Sequence, residues 1–158
     1  MKAQSIMTPS PCCCTSADTI ADVARLMRDN DCGAVPVVDH GRIVGIVTDR
    51  DLAVRALATG MDGSTRVADV MTTSPCCCAP DDDLRKVEKI MVDNQIRRVP
   101  VVDANGSCVG IIAQADIARA AADGQSVGER EIAIVVEAIS EPSRGARPRN
   151  GGQLAQSH

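Results

Sequence analysis

Apolar positions along this chain switch between two spacings, and the whole sequence of switches occurs twice. Ile20, Val23, Ala24 and Met27 recur at helical spacing, with Asp18 or Ser16 placed to cap the helix they predict. The β-rich AVPVV (34–38) follows, then the turn signal DHG (39–41), then RIVGIVT (42–48), which together predict a hairpin. A helix from Asp51 to about Thr59 closes the unit. Further on, Leu84, Val87 and Met91 repeat the helical spacing. RVPVV (98–102), the turn DANG and SCVGIIA (107–113) repeat the hairpin, and a helix from Asp116 to Ala122 repeats the close. Pro36 and Pro100 place each of their strands at a sheet edge or at a strand start. Pro-Cys-Cys-Cys at 11–14 and again at 75–78 is short, apolar and bounded by turn formers. It predicts a buried strand opening each unit.

The two units are an internal repeat. Met7 and Met71, Pro11 and Pro75, Cys12 and Cys76, and Pro36 and Pro100 are each 64 apart. One extra residue in the DANG turn makes the offset 65, so that Gly45 matches Gly110 and Asp51 matches Asp116. The predicted organisation is a β-α-β-β-α repeat at 5–62, a second at 67–123, and a helix at 126–141. Ser126 and Glu129 form a capping box for that helix, and Ile132, Val135, Val136 and Ile139 form its buried stripe. Pro142 ends it, and the Gly-, Pro-, Arg- and Gln-rich 142–158 reads as a disordered tail. Each half, at about 55–60 residues, is marginal alone. Two α+β half-units related by a pseudo-twofold axis would share a core and leave two related clefts between them.

Composition narrows the function. The chain has 17 basic and 21 acidic residues and a net charge of −4, and Arg144, Arg147 and Arg149 fall in the tail. That balance argues against nucleic acid as the partner. No apolar run reaches the roughly 18 residues of a membrane span, and the N-terminus lacks a secretory layout, so a soluble cytoplasmic protein is expected. Phe, Trp and Tyr are absent, so a flat ligand must be gripped by aliphatic walls. The eight cysteines read as thiols or metal ligands rather than a disulfide framework.

Three motifs occur in this order: MT-x-x-P at each repeat start, V-P-V-V-D at mid-repeat, and G-h-h-T-x-x-D before the closing helix. With them the chain resembles, over roughly residues 5 to 122, a pair of CBS domains, the arrangement called a Bateman module. The added helix ending in AISEP is similar to that of small stand-alone bacterial CBS-pair proteins. The resemblance implies a non-catalytic sensor, typically a homodimer, that binds AMP, ADP, ATP or another adenosyl ligand, with NAD a further candidate. It gives the Asp of the last motif to the ribose hydroxyls, and the Thr and the helix start to the phosphate.

Carried over, Thr48 and Asp51, with Arg50 between them, face Cys76, Cys77 and Cys78 and the stretch Ile96, Arg97, Arg98, Val99, Pro100. Adjacent strand residues point to opposite faces, so one of the two arginines is expected to reach the ligand. In the second cleft Asp116 is kept, but Ala113 stands where the Thr should be. The facing segment Cys32-Gly33-Ala34, with Cys12, Cys14 and Pro36 beside it, has no arginine. Ribose recognition is kept there and phosphate recognition weakened, so AMP is expected to fill the Thr48 cleft first.

Other readings compete. Thr48 and Asp51 also make an ordinary helix cap. Cys12, Cys14, Cys76 and Cys78, brought together by the twofold, would make a four-thiolate zinc site or a redox sensor. As small hydrophobes in strands they need neither role, and packing is the preferred reading. His40 and His158 have no catalytic partners, and no G-x-S-x-G, H-E-x-x-H or P-loop is present. No metal, required cofactor or enzymatic activity is expected.

Overall fold

A computed structural model describes residues 1–122 and 129–140. In chain order the elements are β1 (Thr8–Pro9), α1 (Ile20–Asp29), β2 (Ala34–Asp39), β3 (Arg42–Thr48), α2 (opening at Asp49–Asp51), β4 (Thr72–Thr73), α3 (Leu84–Asn94), β5 (Arg98–Val102), β6 (Cys108–Ala113), α4 (Gln114–Ala122) and α5 (Glu129–Ser140). They form two three-stranded antiparallel sheets, β1-β6-β5 and β2-β3-β4, in an α+β fold.

Each helical stripe packs on its own hairpin. Ile20, Val23 and Met27 of α1 join Val35, Val37 and Val47 in one core. Leu84, Val87 and Met91 of α3 join Val99, Val101 and Ile112 in the other. The cap of α1 differs from the sequence expectation. Thr19 Oγ1 accepts from the Asp22 amide (3.2 Å), and the Asp22 carboxylate returns to the Thr19 amide (3.4 Å). The reciprocal box needs its acid three residues after the cap, and Asp22 supplies it. Asp18 instead accepts from the Thr15 amide in the preceding turn, and the Ser16 amide donates to Asp39.

The Pro-Cys-Cys-Cys segments are not strands. Each touches the edge of a sheet at one parallel bridge, Cys14 to Val37 and Cys78 to Val101. The Cys14 amide donates to Pro36 O (3.1 Å) and the Val38 amide to Cys14 O (2.8 Å). The next rung back would need an N–H from Pro36, which proline lacks, so the ladder stops. Pro36 and Pro100 do lie in edge strands, β2 and β5.

The strands that open each repeat lie earlier than expected, and they cross over. β1 pairs with β6 of the second repeat, and β4 pairs with β3 of the first. The isolated bridges Lys2–Asp83 and Thr19–Arg66 cross in the same reciprocal way, each the other shifted by the repeat offset. This reciprocity is the pseudo-twofold relation expected from the repeat. Ala3 consequently belongs to the second core, and Val67 and Val70 to the first. Met71 lies against Gly45, where an added Cβ would be 2.7 Å from its Sδ, and Met7 lies against Gly110 in the same manner. The MT motif of one repeat and the Gly of the other repeat's last motif are thus the two sides of one contact.

Both closing helices begin two residues before the expected start. α2 is capped by Thr48, passes through a π turn at Leu52–Ala56 and a tighter turn at Leu57–Thr59, and ends at Gly60 in the left-handed region (φ 79°). α4 begins at Gln114. On α5, Ile139 is buried in the second core and Val136 is half-buried. The side chains of Ile132 and Val135, the Ser126–Glu129 cap, Pro142 and the tail lie outside the described residues. Among the described residues no helix is long and apolar enough to cross a membrane.

Candidate functional site

Thr48 ends β3 and caps α2. Its Oγ1 accepts from the Asp51 amide (3.2 Å), and Asp51 Oδ2 accepts from both the amide and the hydroxyl of Thr48 (2.9 Å each). The plain capping role is therefore real. It also fixes the carboxylate, leaving Asp51 Oδ1 3.4 Å from Arg55 Nε, one helical turn on. Arg55 is held in turn by Val70 O (3.1 Å) and Thr72 Oγ1 (3.3 Å).

These side chains form one wall of a cavity of about 630 Å³ between the repeats. That volume falls within the roughly 300–1,000 Å³ of small-molecule sites. Of the residues expected in the main cleft, Thr48, Arg50, Asp51, Cys76, Ile96, Arg97, Arg98 and Pro100 line it. Cys77 and Cys78 do not: Cys78 is buried in the second core, and Cys77 is half-buried with its thiol donating to Pro75 O (3.2 Å). Both arginines line the cavity. Arg97 lies in a bend before β5 begins, so strand alternation does not apply to it.

Several lining residues were not foreseen. Arg55 carried a signal, the i,i+4 spacing from Asp51. Thr72 and Ser74 arrive on or beside the exchanged strand β4, and Ile139 arrives from α5, so no local pattern marks them. Four arginines (50, 55, 97, 98) and two aspartates (49, 51) line the space, an excess of positive charge in a chain whose net charge is −4. Ile46, Ile96, Pro75 and Pro100 supply apolar walls. The arrangement suits an anion attached to a flat apolar body.

The residues expected in the second cleft are arranged differently. Asp116 is 8% exposed; its Oδ2 accepts from the Ala113 amide (2.7 Å), and its Oδ1 pairs with Arg119. Ala113 offers no hydroxyl, so the cap there is one-sided. Ala34 and Pro36 are buried in β2, and Cys14 is in the first core. Gly33, expected in this cleft, lies instead against the main-cavity residues: an added Cβ would sit 2.7 Å from Asp49 Oδ2 and 2.8 Å from Arg98 Nη2.

The cysteines do not converge on one point. Cys14 and Cys78 belong to different cores, so the twofold does not assemble Cys12, Cys14, Cys76 and Cys78. Among the described residues no three His, Cys, Asp or Glu side chains gather as metal ligands would. Burial pushes Cys14 up to about 12 and Cys77 and Cys78 up to about 11. Cys13 is exposed, and its interaction with Cys108 lowers its thiol to about 7.

The fold and the cleft define a paired α+β module with a cavity between its repeats. The chain belongs to the CBS domain family, which it matches at residues 3–57 and 67–123. It is 42% identical over 110 residues to the CBS domain-containing protein YhcV of Bacillus subtilis, covering 70% of this chain and 78% of that one. Several solved structures are similar, three of them as follows. The CBS domain pair of protein MJ0100, in complex with 5-methylthioadenosine and S-adenosyl-L-methionine, has a TM-score of 0.72 and 29% identity over 78% of this chain and 98% of its own. CBSX2 in complex with AMP has a TM-score of 0.68 and 26% identity, with the same coverage. Hypoxic Response Protein I with two coordinated zinc ions has a TM-score of 0.69 and 32% identity over 75% and 98%.

Proposed function

We propose that this chain is a non-catalytic regulatory module that holds an adenine nucleotide or adenosyl compound in the cavity between its repeats, with AMP the simplest occupant and ADP, ATP and NAD in the same class. One observation carries the reading: four arginines against two aspartates line a cavity with aliphatic walls. Arg97 and Arg98 take the phosphate, where a planar guanidinium binds two oxygens at once. Asp51 accepts from the ribose hydroxyls through the oxygen now facing Arg55, while Thr48 keeps the other in place. Ile46, Ile96 and Pro100 sandwich the base. The adenosyl ligands named for MJ0100 and CBSX2 support this class.

The second cleft, with no hydroxyl at Ala113 and Asp116 tied to Arg119, is the weaker site. The working unit is a homodimer in the cytoplasm. Val54 (51% exposed), Leu57 (76%) and Met61 (39%), spaced i, i+3, i+7, offer a second copy an apolar strip along and just beyond α2. A thermal-shift panel of AMP, ADP, ATP, NAD, S-adenosylmethionine and 5-methylthioadenosine tests the function. At least one is expected to raise Tm by several degrees at saturation; a flat panel contradicts the reading.

A further inference from the structure

The sulfur of Cys12 lies 3.7 Å from that of Cys32, both half-buried, in a chain whose eight cysteines are all free. The two are held in contact from opposite sides. Cys12 sits two residues before the Cys14 bridge that fixes its segment to the edge of β2. Cys32 follows α1, with its amide bonded to Met27 O at 3.0 Å. The second repeat supplies an internal comparison: Cys76, the counterpart of Cys12, has Ile96 at the counterpart of Cys32. The thiol pair is therefore peculiar to the first repeat, and packing alone, which Ile96 satisfies in the second, does not call for it.

We propose that Cys12 and Cys32 are a reversible dithiol–disulfide pair, oxidised by a low-molecular-weight disulfide, that locks the 11–14 segment to the end of α1 and bears on the wall of the main cavity. In the reaction the Cys32 thiolate attacks one sulfur of the small disulfide and expels the first small thiolate. The Cys12 thiolate then attacks Cys32 Sγ and expels the second. Two protein thiols become one disulfide, the small disulfide becomes two thiols, and these take up both protons. Burial and the hydrogen bond to Cys32 push Cys12 up to about 11, which suits the resolving rather than the attacking role. The sulfurs must close from 3.7 Å to about 2 Å, a movement that carries Cys32 toward Cys12.

Gly33 passes that movement on. Its carbonyl accepts from the Asp49 amide at 3.1 Å, and the site of its missing Cβ is crowded by Asp49 and Arg98, so little slack separates Cys32 from two cavity residues. This inference does not depend on what the cavity binds.

The test equilibrates the full chain in mixtures of oxidised and reduced glutathione, then quenches with acid, alkylates and digests. Peptides 3–25 and 29–42 are expected to become linked, with fragmentation placing the bond at Cys12 and Cys32. Tm should rise by about 5–10 °C, and hydrogen exchange at the Asp49 amide should change severalfold. Cys32→Ser is expected to lose all three effects, and Cys76→Ser to keep them. Cys12→Ser removes the other partner and gives the same readout should Cys32→Ser fail to fold. A link elsewhere, such as Cys13 to Cys108, or single glutathione adducts at both sites, overturns the pair. Unchanged exchange at Asp49 in the linked protein overturns its coupling to the cavity.

Discussion

Asp51 shows how one side chain serves both fold and site. As the N3 acid paired with the Thr48 cap it completes the capping box at the start of α2, so its loss opens that box before any ligand is considered. A binding defect in an Asp51 variant is therefore read against its own melting curve. The cysteines divide at the same scale. Cys14 and Cys78, buried and held protonated, act as small core residues. Cys13 is exposed and lowered to about 7 by its interaction with Cys108, so its thiolate is half-formed near neutrality. Its alkylation rate should rise with pH to half its plateau near pH 7 and fall away below. Cys108→Ala removes that neighbour and should move the midpoint upward toward the ordinary 9.0. Stopped-time alkylation with mass mapping checks both; a wild-type midpoint at 9 or above contradicts the assigned contact.

At the level of elements, the exchanged strands hold the repeats together. Met71 on Gly45 and Met7 on Gly110 leave no room for a Cβ, and at Gly45 the obstruction includes the backbone carbonyl of Thr72, 3.0 Å away. Gly45→Val should destabilise by ~1–3 kcal/mol through overpacking, and the melting temperature would show it; a variant as stable as wild type contradicts the reciprocal contact. The helices, hairpins and 64-residue repeat were legible because they are written in local spacing. Thr48 and Asp51 are legible in their motif, and Ile96–Arg98 only as the segment that the resemblance sets opposite it. The Pro-Cys-Cys-Cys segments look like strands locally, but their ladders stop at Pro36 and Pro100, residues far along the chain. The two-residue strands β1 and β4 are too short to show alternation, and their partners lie in the other repeat. Thr72 and Ser74 entered the cavity unannounced for the same reason.

For the molecule as a whole, two marginal halves become one body because each lends the other a strand and part of its core. The cavity is a consequence of that axis, and its charge excess sets it apart from an otherwise acidic chain. The apolar strip of Val54, Leu57 and Met61 extends the architecture outward. Leu57→Glu should convert the proposed dimer to monomer in light scattering after size exclusion, with Tm little changed, because Leu57 is 76% exposed within the chain. A monomeric wild type, or a variant that stays dimeric, contradicts the strip as the interface. The central claim is that the arginine-lined cavity takes the phosphate of an adenine nucleotide. Calorimetric titration of AMP and of adenosine into wild type and an Arg97→Ala/Arg98→Ala variant tests it directly. The expected result is a fall in AMP affinity of roughly tenfold to a hundredfold, adenosine affinity unchanged, and one strong AMP site per chain in the wild type. AMP binding that is absent from the wild type, or equal in both proteins, would contradict the account.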